Sequence, residues 1–221
     1  MIKFEEEMIE LKKKISEMAS LVEEMIGKSI KSLKERNMIL AQEVINSDNE
    51  VNNMEVEIDN LCIKILALYH PEAEDLRVVT MIMKINNDLE RIGDHAVSIA
   101  KMSIPLSEKP HIKPLIDIQR MADKAIEMLK ESLDSFMRLD SEMAVQVCIK
   151  DDEVDDLEPQ IVRELMTFVM ADTKVIDGAL RLIFIARHLE RVADLATNIA
   201  EDAYYIATGQ VLKHHHKSEM N

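Results

Sequence analysis

Glu90 and Asp94 stand four residues apart, and Glu190 and Asp194 repeat the spacing one hundred residues later. The strings around them match: Leu89-Glu90-Arg91-Ile92-Gly93-Asp94 returns as Leu189-Glu190-Arg191-Val192-Ala193-Asp194. On a helix such residues lie one above the other, and an unpaired pair of like charges there costs about 0.2–0.5 kcal/mol. A chain that repeats the arrangement in matching positions is expected to set a cation against it. An all-oxygen donor set suits hard ions such as Mg²⁺, Mn²⁺, Ca²⁺ or Fe³⁺. The plain alternative is a solvated acidic face.

A second acidic segment is expected to face the first. Asp48-Asn49-Glu50-Val51-Asn52-Asn53-Met54-Glu55 matches Asp151-Asp152-Glu153-Val154-Asp155-Asp156-Leu157-Glu158 at an offset of 103. Counting outward from a turn near residue 71 sets Asn53 opposite Glu90 and Asn49 opposite Asp94. The same count in the second copy sets Asp156 opposite Glu190 and Asp152 opposite Asp194. The ligand set read this way is Glu90, Asp94, Asp152, Asp156, Glu190 and Asp194. A register good to one residue keeps Asp48, Asn49, Asn53, Asp151 and Asp155 as weaker candidates. Four carboxylates in the second copy against two carboxylates and two amides in the first predict tighter metal binding in the second. Fe, Mn, Mg, Ca and Zn all stay open.

Other chemistries find little support. A ferritin-like di-iron site needs Glu-x-x-His pairs, but Gly93 and Ala193 stand three residues after the glutamates. His95 is replaced by Leu195 in the second copy and reads as a helix-surface residue, and His214-His215-His216 falls beyond the last helix. Arg91 and Arg191 point about 100° away from the Glu–Asp face and read as surface ion-pair partners rather than a phosphate site. No nucleophile–base pair, Gly-rich phosphate loop or P-loop occurs, so no enzyme is expected.

The elements that must carry these residues are helical. The chain has 221 residues, of which 47% are apolar and 3% aromatic, with 4 Gly and 5 Pro. That composition holds a core without the punctuation of a sheet protein. A formal net charge of −15 argues against nucleic acid as a partner. No charge-free run exceeds ten residues (203–212), too short to span a bilayer, and the N-terminus lacks the apolar core of a signal peptide. Cys62 and Cys148 sit in apolar stretches without a pairing motif, as reduced thiols of a cytoplasmic protein would.

Met8, Leu11, Ile15, Met18, Val22 and Met25 alternate steps of three and four, a helical seam. Asn37 and Asp140 align as N-caps of a short helix after each long first helix. A further helix is expected from about Asp48 or Asp151, and a last one from Pro71 to about Lys101 or from Asp172 to Gly209. Pro159 predicts a kink. The fold expected is all-α, a tandem duplication of a three-helix bundle, with six long helices plus two short ones. Pro105, Pro110 and Pro114 mark the junction. This divides the chain into a first bundle at 1–104, a second at 105–210 and a tail at 211–221, the bundles tightly docked.

The duplicated LERxxD signature, together with Pro71-Glu72-Ala73-Glu74-Asp75-Leu76-Arg77, resembles the PhoU family of phosphate-transport regulators. The resemblance covers about residue 5 to Gly209. It implies two three-helix bundles related by a pseudo-twofold axis and metal at Glu90/Asp94, Glu190/Asp194 and Asp152/Asp156. It also implies a non-enzymatic cytoplasmic adaptor between the ATPase subunit of a phosphate ABC transporter and a phosphate-sensing histidine kinase. Such an adaptor damps the starvation response when phosphate is plentiful. It would be a homodimer that reaches the membrane only through its partners. The first copy departs from the pattern at Asn49 and Asn53. A metal-storage or metal-buffering protein is the alternative function.

Overall fold

The apolar seam of the first helix becomes the spine of a bundle. Leu11, Ile15, Met18, Val22 and Met25 are all buried, and Met8 packs on their edge. The computed structural model describes residues 2–212, so the His214–His216 tail lies outside the described residues. The described residues form six long helices: α1 (Ile2–Glu35), α2 (Met38–Tyr69), α3 (Ala73–Ser107), α4 (Ile116–Arg138), α5 (Ser141–Ala171) and α6 (Ile176–Thr208). α1–α3 pack as one three-helix bundle and α4–α6 as a second.

Asn37 and Asp140 cap helices as expected, with Asn37 Oδ1 accepting from the Ile39 and Leu40 amides and Asp140 Oδ1 from the Met143 amide. The helices they start are long, however. No separate short helix follows either cap, because Ala41, Val44 and Val51 in α2, and Ala144, Val147 and Val154 in α5, form one continuous buried stripe. The only short element among the described residues is a 3₁₀ turn at Thr173–Val175, held by Asp172, whose side chain accepts from the Lys174 amide. α5 runs on through the exposed Pro159.

The α1–α2 and α4–α5 turns are copies of each other. Arg36 and Leu139 both take φ 55°. The Asn37 and Asp140 amides reach back to the Ser32 and Ser135 carbonyls at 2.9 Å in each case, which closes the preceding helix in a Schellman-type cap. Gly209 ends α6 with φ 72° and donates to the Tyr205 carbonyl at 2.8 Å.

α3 extends further than its sequence suggests. Pro105 lies inside its last turn rather than in the junction, where Ile104 and Leu106 pack on the core and Arg36 Nε donates to the Ser107 carbonyl at 3.0 Å. Pro71 precedes α3 in the turn instead of starting it. The connector is residues 108–115. His111 Nε2 bonds the Lys34 carbonyl at 3.2 Å on the first bundle. Buried Lys113 pairs with Asp117 and Glu164 on the second.

The bundles dock along α3 and α6, with α1 packed on α4. α3 and α6 run antiparallel, since Lys84 meets Asp202 and His95 meets His188 across the contact. Within the first bundle Gly93 lets α3 lie close to its neighbours, since a Cβ there would meet the Val51 side chain at 3.3 Å and that of Val22 at 3.8 Å.

Candidate metal centres and the cleft between them

α2 and α5 each carry a buried stripe with a seven-residue repeat: Val44, Val51, Ile58 and Ile65 in α2, Val147, Val154 and Ile161 in α5. The residues flanking that stripe on the side of α3 or α6 form the acidic seam. In the second bundle Asp151, Asp155 and Asp194 bring carboxylate oxygens within 4.8 Å of one another. Glu190 adjoins them. Burial raises its pKa first, and the negative charges of Asp194, Asp155 and Glu158 raise it further. In the first bundle Glu90 is raised in the same way, by burial and then by Asp94, Glu55 and Asp48. Asn52, the counterpart of Asp155, donates to Asp48 at 3.4 Å.

The register counted from the turn is therefore one residue off. Asp152 and Asp156 are exposed and outside the Asp151–Asp155–Asp194 group, and Asn49 and Asn53 are exposed in the first bundle. Residues at equal height on a helical hairpin face each other only if their azimuths agree, and one residue rotates a side chain by about 100°. Asp48, Asn52 and Glu55 follow the steps of four and three that keep one face. Glu55 and Glu158 went unrecognised in the sequence, although the valine repeat, once phased, points to both.

The first seam has an extra layer. Asn86 is fully buried and donates to the Glu55 carbonyl and to Asp59 Oδ1, both at 3.0 Å. Burial and then Asp59 raise the Glu55 carboxyl, while a hydrogen bond from Asn87 lowers it. The second bundle has Val162 and Ala186 where the first has Asp59 and Asn86. The first seam offers carboxylate oxygens and the Asn52 amide, and the second offers carboxylates alone. That chemistry fits a hard cation.

Between the seams, at the middle of the α3–α6 contact, lies a cleft of about 660 Å³ lined by Arg91, Asp94, His95, Arg191, Asp194, Leu195 and Asn198. His95 Nδ1 and His188 Nδ1 are 3.1 Å apart. Burial pushes the His95 pKa down to about 4, helped by His188, Arg191 and Arg91. His95 is thus half-buried at the bundle contact and not a surface residue. Arg91 pairs with Asp88 at 3.4 Å, as an ion-pair role predicts. Cys62 and Cys148 are free thiols, pushed up to about 12 chiefly by burial.

Repeated three-helix bundles, docked about a pseudo-twofold contact with an acidic seam in each, define a class of helical regulatory protein. The PhoU domain family matches this chain twice, at residues 15–103 and 118–203. The chain is 44% identical over 218 residues to the phosphate-specific transport system accessory protein PhoU homolog of Aquifex aeolicus, covering 99% of both. It is 36% identical to the PhoU of Escherichia coli strain K12, covering 96% of this chain and 88% of that one. The crystal structure of PhoU from Pseudomonas aeruginosa superposes with a TM-score of 0.90 at 35% identity, covering 94% of this chain and all of that one. The Streptococcus pneumoniae phosphate transport system regulatory protein PhoU gives 0.88 at 30%, covering 95% of this chain and 99% of that one. The chain belongs to the PhoU family, whose members are non-enzymatic regulators of phosphate transport. Among the described residues no helix is long and apolar enough to cross a membrane.

Proposed function

We propose that this protein is a metal-binding adaptor of phosphate signalling. It joins the ATPase subunit of a phosphate ABC transporter to a phosphate-sensing histidine kinase and restrains the starvation response when phosphate is plentiful. The observation that carries the metal part is the convergence of Asp151, Asp155 and Asp194 within 4.8 Å, with Glu190 alongside. Asp48, Glu55, Glu90 and Asp94, with the Asn52 amide, form the matching set in the first bundle.

A cation in either seam ties the second helix of a bundle to the third and offsets the mutual repulsion of the carboxylates there. Metal occupancy then sets how firmly α2 is held to α3 and α5 to α6, and with it the surface offered to a partner. The protein works in the cytoplasm as a homodimer and reaches the membrane through its partners.

Capture experiments with purified transporter ATPase and sensor kinase test the adaptor role, with Mn²⁺ and with chelator. Both partners are expected to be retained, more strongly with metal. A protein that takes up metal and retains neither partner would be a storage or buffering protein instead.

A further inference from the structure

The cleft at the centre of the α3–α6 contact is electrically balanced, with Arg91 and Arg191 set against Asp94 and Asp194. The two ends of the same face are not. Towards the start of α3 an adjoining cleft of about 540 Å³ gathers Lys84, Asn87, Asp88, Asn198, Glu201 and Asp202, three carboxylates against one ammonium. Lys84 reaches across to Asp202. α3 and α6 are antiparallel, so the pseudo-twofold axis that exchanges them stands upright on this face and carries that cleft to its other end. There the hundred-residue offset places Ser98, Lys101, Met102, Phe184, Arg187 and His188, two cations and no carboxylate. Lys101 and Arg187 are exposed, and Arg187 also acts on Glu190 in the neighbouring seam. Phe184 is 47% exposed and continues the exposed Ile176 and Leu180 at four-residue steps along α6. Of the seam carboxylates, only Asp94 and Asp194 line either cleft.

One face thus has a negative end, a balanced middle and a positive, partly apolar end, on a chain whose net charge is −15. Such a pattern is complementary to its own inverted copy. Turned over about an axis that lies in the face and crosses the helices, a second copy sets its positive end on the first copy's negative end. The same match recurs at the far end, as in any isologous twofold interface. We propose that two copies of this chain meet through their α3–α6 faces in this inverted orientation, with Lys101, Arg187 and the exposed Phe184 of each set against Asp88, Glu201 and Asp202 of the other. The interface deepens the homodimer reading above and rests on it.

Analytical ultracentrifugation of the intact chain tests the interface. The wild type is expected to dimerise, and more weakly at high salt, where the attraction between the ends is screened. Lys101→Glu with Arg187→Glu makes both ends of the face negative, and Glu201→Lys with Asn87→Lys makes both positive. Each double variant alone should dimerise at least about tenfold more weakly than the wild type, because like charges then oppose each other at both ends. Lys101→Gln with Arg187→Gln, which only removes the positive charge, should weaken the dimer less. Mixed in equal amounts, with one of them fluorescently labelled, the negative and positive variants should form a mixed dimer as tight as that of the wild type. That recovery would also show that both variants fold. Variants that dimerise as tightly as the wild type, or no recovery on mixing, would overturn this interface and leave the homodimer standing. A wild type that stays monomeric would overturn the homodimer as well.

Discussion

The two bundles share a backbone plan and differ where charge is concentrated. In the acidic seams four positions hold a carboxylate in both copies: Asp48/Asp151, Glu55/Glu158, Glu90/Glu190 and Asp94/Asp194. The fifth is Asn52 in the first copy and Asp155 in the second. Over these five positions the second seam carries one more negative charge, and Asp59, which is Val162 in the second copy, offsets it in the first. At the bundle contact the divergence is larger. Lys84 and Asp202 form an ion pair, while the equivalent positions are Phe184 and Met102. His95 and His188 meet, while their equivalents are Leu195 and Asp88. Asp88 is pushed up to about 6 by burial, against the pull of Arg91. Duplication preserved the helices and caps, and selection was free to change the side chains the two halves show each other.

The hardest way to break the comparison is to remove one seam. Glu190→Gln with Asp194→Asn should abolish the second metal site and leave the first, so calorimetric titration of the intact chain should lose one binding event. Loss of both events, or of neither, would mean that the seams are not separate sites. A finer change exchanges the differing position. Asp155→Asn should weaken the second site and Asn52→Asp should strengthen the first, each on the order of tenfold, because ligand charge tunes oxygen sites. Equal affinities in the wild type would show that the amide serves as well as the carboxylate.

The bundle contact can be made symmetric. Lys84→Phe alone leaves Asp202 buried without its partner and should cost about 1 kcal/mol, a modest figure because the lysine side chain is 59% exposed. Adding Asp202→Met, which copies the other half, should recover that loss or exceed it, as replacing a buried ion pair by apolar side chains often does. Denaturant midpoints of the two variants decide the matter, and a double variant weaker than the single would rule out the symmetric packing.

The smallest effect expected is a pH dependence at His95. Its folded pKa, about 4, lies below the ordinary 6.5 because burial and neighbouring cations disfavour the charged ring. The neutral ring therefore favours folding fully above pH 6.5, and that contribution drains away as pH falls from 6.5 towards 4. His95→Leu, the residue of the other copy, removes the dependence. Between pH 7 and pH 5 its Tm should fall about 2–4 °C less than that of the wild type, on the order of 1 kcal/mol after allowing for solvent screening.

Most of the architecture was open to a reader of the chain. Asn37, Asp140 and Gly209 announce helix ends by local chemistry, and the seam from Leu11 to Met25 announces one buried face. The continuity of α2 and α5 was harder, since a cap after a break looks the same before a short helix as before a long one. Only the stripe through Val44, Val51 and Ile58 separates them. That same stripe fixes the azimuth that the site needed, which is why Asp151 and Asp155 replaced Asp152 and Asp156, and why Glu55 and Glu158 went unseen. The meeting of Lys84 with Asp202, and of Arg91 with Arg191, depends on how one bundle lies against the other. No periodicity within a bundle encodes that.

The connector divides its loyalties at Ile112. Up to His111 it is tied to the first bundle, and from Lys113 it is anchored in the second. Mechanically the chain is a pair of finished parts with a covalent splice, and the splice keeps the parts at high effective concentration for each other. In an assembly of two identical single repeats every substitution appears twice, once on each side of the twofold axis. A lysine at position 84 would then face a partner that could not carry an aspartate at 202 without also carrying one at 102. Fusion lifts that constraint. The splice is what allows the two sides of the α3–α6 contact, and the two seams beside it, to become different from each other.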